Sequence, residues 1–231
     1  DALCPIITTV TPRAFYWPFV AWNYYDYHVN YKSPKKAQAE FNSNFLNRNG
    51  YYMVLANMIV GDDQYGLAGK TKVDNYYDES KNVFLYDSSV SETDYSQLGY
   101  YNAGCLNMGI ITDRDKEGNR FVLPKLTKEI GEPLALSFEK VIKNTEYYKK
   151  YRLTNCPIPR KAVEELGKIM KFNLDGFDEV KLLLKQAIFE PKNNERLNNK
   201  DLIESSRYIE YMYYRYGIKK PSTSELRRVL F

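Results

Sequence analysis

The sequence predicts a mainly helical α+β fold with one small β-hairpin, and three observations lead there. Apolar residues recur at spacings of three and four in several segments, which places one buried stripe along each helix. Capping and stopping residues flank those segments, with Ser33-Pro34, Thr93, Asp94, Thr127 and Asp201 before them and Gly61 and Gly109 after. Two short apolar runs, Ile110-Ile111-Thr112 and Phe121-Val122-Leu123, enclose a polar tip that contains Gly118, the pattern of a hairpin.

Taken in order, the chain opens on nine aromatic rings between Phe15 and Tyr31, too many to leave in water, so they belong in a core or against a partner. Pro12 and Pro18 punctuate this stretch, and the residue before a proline avoids the helical region, so an extended stretch and then a helix over about 19–29 are expected. Ser33-Pro34 opens a helix to about Leu46, and Asn49-Gly50 reads as a turn. Tyr52, Leu55, Ala56 and Ile59 form one helical stripe ended by Gly61; residues 61–75 read as loop, and 83–86 as a short extended piece. A helix over 94–108 stopped by Gly109 then leads into the hairpin. Thr127 caps the next helix, carrying Ile130, Leu134, Phe138, Val141 and Ile142. Amphipathic helices follow over 162–172 and 177–189, and a last long one begins at Asp201.

Length and composition bound the function. The 231 residues suffice for one large domain or two small ones, and 44% hydrophobic with 27% charged residues excludes a mostly disordered chain. No apolar run reaches bilayer length, so no membrane partner is expected. One histidine and three scattered cysteines make neither a disulfide framework nor a Cys/His metal site, which points to a cytoplasmic address and no cofactor. An initial Asp, and an end only two turns into a helix, read as a processed or partial chain.

Charge is uneven. Residues 1–142 carry 14 basic against 17 acidic side chains, net −3, while residues 143–231 carry 19 against 12, net +7. The chain therefore divides into an aromatic N-terminal and hairpin-bearing part, 1–142, and a basic helical extension, 143–231. Positive potential concentrates polyanions and displaces their counterions, so Lys143, Lys149, Lys150, Arg152, Arg160 and Lys161 are candidate DNA-backbone contacts. A solvated helical face rich in lysine explains the same residues without a ligand. Tyr147, Tyr148 and Tyr151 alternate with the cations, as base-stacking rings or as the cover of a core.

The helix ending at Leu106-Asn107-Met108-Gly109-Ile110, the hairpin, and Leu126-Thr127-Lys128-Glu129-Ile130-Gly131-Glu132-Pro133-Leu134-Ala135 together resemble the helix-wing-helix part of bacterial winged-helix domains. Their Leu-Thr-x-x-Gly-x-x-Leu-Ala turn has one residue fewer before the glycine. The resemblance covers about 50 residues and implies a winged-helix-like domain whose wing is tipped by Arg114, Lys116 and Arg120. The helix over 94–108 has no Lys or Arg, which counts against base reading in the major groove. In addition, Arg13-Ala14-Phe15-Tyr16-Trp17-Pro18-Phe19 resembles the aromatic-Pro-aromatic opening of proteins encoded in bacterial anti-phage and restriction islands. That resemblance implies a place in a DNA-directed protein complex and carries over no catalytic residue.

Catalytic patterns fit poorly. Gly66-Leu67-Ala68-Gly69-Lys70-Thr71 has Gln64 where a phosphate loop needs glycine, and the Glu179-Val180-Lys181 spacing of metal-dependent nucleases falls on a helical pattern. Adjacent Asp62 and Asp63 read as solvated loop residues, and His28 has no nucleophile patterned around it. The expectation is a non-enzymatic component that grips the DNA backbone without sequence preference. Its rival is a structural adaptor that binds a partner protein through aromatic surfaces, and an enzyme completed by residues outside this chain is a third reading.

Overall fold

The computed structural model describes residues 16–30, 47–61, 70–74, 77–86, 104–106, 108–170 and 178–189. They form six α-helices, one π-helical turn and two separate two-stranded antiparallel sheets, an α+β arrangement with helix predominant. The helices expected over 34–46 and from Asp201, most of the one over 94–108, and the loop at 62–69 lie outside the described residues.

Helix α1 (Tyr16–Asn30) starts earlier than the prolines suggest. Pro18 falls in its first turn, where no backbone N–H has an intrahelical partner, so the missing donor costs nothing. Trp17, Phe19, Trp22, Tyr24 and Tyr27 are all buried, and this helix packs along α4 (Gly131–Ile142). Phe19 and Trp22 meet Phe138 with ring centroids 6.2 and 6.0 Å apart, so the aromatic stretch supplies core within this chain.

Helix α2 (Arg48–Ile59) runs straight through Asn49-Gly50, which read as a turn from sequence. Tertiary bonding overrides the local preference there, because the Asn49 amide bonds both Asn23 and Tyr147 inside the molecule. The helix packs on α5 (Arg160–Ile169). Their approach is so close at Gly167 that an added Cβ would sit 2.3 Å from the Ala56 carbonyl oxygen; only glycine fits. Residues 70–74 form a short helix, α3 (Lys70–Asp74), instead of loop.

Strand β1 (Val83–Phe84) finds its partner 75 residues away in β4 (Ile158–Pro159), with Val83 opposite Pro159 and Phe84 opposite Ile158. The hairpin pairs β2 (Ile111–Arg114) with β3 (Arg120–Leu126) around an irregularity between Thr112 and Arg114. At its base, Gly109 (φ 65°) ends a helical turn in a left-handed cap: Ile110 N–H donates to Cys105 O and Gly109 N–H to Leu106 O. The Thr127 hydroxyl donates to Gly109 O (2.6 Å) and accepts from Gly131 N–H (3.0 Å), fixing hairpin stem and helix start together. The sequence places the helix start at Thr127; the structure begins α4 at Gly131 with Ile130 at its N-cap, so Thr127 holds the first helical N–H from four residues before it, and a Cβ on Gly131 would collide with Ile110 O. A further helix, α6 (Asp178–Phe189), packs on α4. One cluster of buried side chains runs from Trp17 to Leu184 across residue 142.

Candidate functional site

Between α4 and β4 the chain makes a π-helical turn, Tyr147–Tyr151, closed by Arg152 N–H to Tyr147 O at 3.0 Å. Each of its ends is reached by a side chain from another helix. Glu165 on α5 accepts the Glu146 N–H (2.8 Å) and the Thr145 hydroxyl accepts the Tyr148 N–H (3.1 Å), satisfying donors at the N-terminal end. At the other end Arg48 of α2, almost wholly buried, donates to Thr154 O (3.0 Å), to Asn155 Oδ1 (3.0 Å) and to Arg152 O. The extra residue of the wide turn lets Tyr147 point into the core while Lys149 and Lys150 stay in water.

Tyr147 joins a buried polar chain. Its hydroxyl donates to Asn49 Oδ1 (2.5 Å), Asn49 Nδ2 donates to Asn23 Oδ1 (2.6 Å), and Asn23 Nδ2 donates to Phe19 O (2.8 Å). Three elements are pinned by that chain, and burial pushes the Tyr147 hydroxyl well above the ordinary tyrosine range, so it stays a donor.

On the outer side of the turn lies an open groove of about 520 Å³, lined by Asn144, Glu146, Lys149, Lys150, Lys161, Glu164, Glu165 and Lys168. The turn contributes Lys149 and Lys150, and α5 contributes Lys161 and Lys168, all exposed. Lys150 pairs with Glu146 at 2.9 Å, while Glu164 pairs with Arg160 (3.0 Å) and Glu165 is occupied by the backbone N–H of Glu146. Among the described residues, no carboxylate lies within ion-pair distance of Lys149, Lys161 or Lys168. Three cations at one site are thus without a carboxylate partner among the described residues.

Of the six basic residues singled out beyond residue 142, the structure brings Lys149, Lys150 and Lys161 together and adds Lys168. Lys143 is exposed at the C-cap of α4, beside groove residue Asn144. Arg160 works within the fold: it holds Glu164 and donates to Glu79 O (2.7 Å) and Tyr77 OH (3.3 Å). Arg152 is committed to buried Asp26 at 3.2 Å and lies 4.0 Å over the Tyr148 ring. Tyr148 in turn donates to Glu139, and burial with that bond raises its pKa well beyond the usual tyrosine value.

The hairpin tip carries the second basic group. Arg114 and Arg120 are cross-strand partners, and both are exposed, as is Lys116. Like charges opposite each other cost stability. The neighbouring Asp115 carboxylate is spent on the turn, accepting from the Asn119 side-chain amide (3.1 Å) and from Asn119 N–H and Glu117 N–H at 2.9 Å each, which holds it below the usual carboxylate range.

Other candidates are quiet. His28 is exposed on α1 with Nε2 3.2 Å from Pro124 O, and Glu179 on α6 is paired with Lys140 at 2.9 Å. Cys105 is buried and Cys156 exposed, each with its thiol free. Among the described residues no cluster of His, Cys, Asp or Glu could hold a metal ion, and no helix is long and apolar enough to cross a membrane. Comparison with protein-family models, with curated proteins and with solved structures gives no match.

Proposed function

We propose that this chain is a non-enzymatic, DNA-backbone-binding component of a protein assembly, of the anti-phage kind its opening segment resembles, gripping phosphates without reading sequence. The observation that carries the reading is the groove: Lys149, Lys150, Lys161 and Lys168 line one open surface, and three of them have no carboxylate partner among the described residues. Ammonium groups so placed neutralise phosphates and release counterions, a term indifferent to base sequence. Arg114, Lys116 and Arg120, on the hairpin read as the wing of a winged-helix-like module, add a second cationic contact.

The test is binding of a labelled duplex at low salt by fluorescence anisotropy. Replacing Lys149, Lys161 and Lys168 together by Ala abolishes most of the affinity under this reading, with helical content unchanged. Retained affinity in that variant overturns it. The presence of Glu146, Glu164 and Glu165 in the same groove favours a second reading, an adaptor that seats a mixed-charge protein segment there. Absence of duplex binding by the wild-type chain at low salt would select that reading.

A further inference from the structure

Arg152 follows directly on the turn that carries Lys149 and Lys150, yet it does not line their groove. Its Nε donates to Asp26 Oδ1 (3.2 Å), its Nη1 donates to Tyr148 O (3.0 Å), and its guanidinium stacks over the Tyr148 ring at 4.0 Å. Asp26 sits on α1 with its side chain only 2% exposed, and Asn30 donates to the same oxygen at 2.8 Å. From α2, Arg48 holds the carbonyls of Arg152 and Thr154. Two helices far from it in sequence therefore grip the one segment that displays half of the groove's lysines.

Stability alone does not explain an ion pair in this place. Desolvating two charges cancels much of their attraction, and an apolar pair of similar volume commonly serves the fold as well or better. Here burial outweighs Arg152 and leaves the Asp26 carboxyl above its ordinary range, so its ionised form is held at a net cost. What the pair adds is direction: a planar fork has one orientation that meets Asp26 Oδ1, the Tyr148 carbonyl and the Tyr148 ring at once.

We infer that the Asp26–Arg152 pair is a positioning device for the lysine groove, fixing the π-helical turn so that Lys149 and Lys150 stand opposite Lys161 and Lys168. The inference rests on the reading of the groove as a phosphate site, and neither residue of the pair touches the ligand.

The discriminating variant is Asp26→Asn, which is nearly isosteric and removes a negative charge from the neighbourhood of the lysines. Electrostatics alone makes duplex binding tighter. Loss of positioning makes it roughly three- to tenfold weaker and speeds amide hydrogen exchange over residues 147–155. A second variant, Asp26→Leu with Arg152→Met, repeats the exchange measurement with neither charge of the pair present, and is expected to match or exceed the wild-type melting temperature while still exchanging faster over 147–155. Unchanged exchange in both variants, or tighter duplex binding by Asp26→Asn, overturns the inference. If the wild-type chain binds no duplex, the phosphate reading of the groove falls. The exchange data then decide by themselves whether the pair fixes the turn.

Discussion

Replacing Gly167 by alanine sets two opposing effects against each other, and the structure decides between them. In an isolated helix the change stabilises by roughly 0.5–1 kcal/mol, because glycine loses more backbone entropy on folding than alanine. Here the new Cβ would lie 2.3 Å from Ala56 O and 2.9 Å from Val60 Cγ1, where ordinary contact begins at 3.4 Å. The obstacle is helix backbone, which cannot rotate aside as a side chain can. Relief requires α2 and α5 to separate by about 1 Å, and a gap of that size forfeits a quarter to a half of each dispersion contact along the seam. That seam includes buried Ala56, Val163 and Leu166. Overpacking of this kind costs about 1–3 kcal/mol, so the propensity gain is overwhelmed and the net change is destabilising by about 1–2 kcal/mol. For a chain of this size the melting temperature falls by roughly 2–8 °C. Thermal denaturation followed by circular dichroism measures it, with exposed Lys168→Ala on the same helix as the control, expected within about 0.5 kcal/mol of wild type. A Gly167→Ala variant as stable as wild type, or more so, would refute the close packing of the two helices.

Three other outcomes follow from the same geometry. Tyr147→Phe leaves Asn49 Oδ1 buried without its hydroxyl donor and lowers stability by about 1–2 kcal/mol in urea denaturation; no change would mean that the Asn23–Asn49–Tyr147 chain contributes nothing. Thr127→Val removes both the bond to Gly109 O and the cap on Gly131 N–H, costing about 1–2 kcal/mol. Its distinguishing mark is faster amide exchange at Gly131 and in the hairpin stem, and exchange equal to wild type would contradict the cap. For pH, the raised Asp26 carboxyl keeps its proton in the folded chain where the unfolded chain, near the ordinary 3.8, has lost it. Its contribution is therefore greatest below that value and declines as pH rises toward the raised native value. Wild-type stability minus that of Asp26→Asn, from urea melts between pH 3 and 7, should fall as pH rises, and a difference that grows with pH would contradict the burial of this carboxyl.

Local chemistry was readable from the sequence wherever one residue decides it. Gly109 ends a helical turn, Thr127 holds the first N–H of the helix after the hairpin though that helix starts four residues later than expected, and the apolar pair around Gly118 forms antiparallel strands, because each depends on neighbours within a few positions. Asn49-Gly50 misleads since the same dipeptide that favours a turn is stabilised in a helix by Asn23 and Tyr147, 26 and 98 residues away. Pro18 misleads in the opposite sense, being harmless in a first helical turn. At the site, the run of lysines is visible in the sequence, but its partition is not. Arg152 looks equivalent to Lys150 until Asp26, 126 positions earlier, is seen to take its guanidinium. Lys168 belongs to the same run of cations in the sequence, and its spacing of seven residues from Lys161 puts it on the same helical face.

The groove itself is tested most directly by the salt dependence of duplex binding. Four lysines meeting phosphates give a slope of log K against log salt of about −3.6, and removing Lys149, Lys161 and Lys168 flattens it by about 2.7. A slope near zero, or one that the triple replacement leaves unchanged, contradicts the assignment of the groove to the DNA backbone.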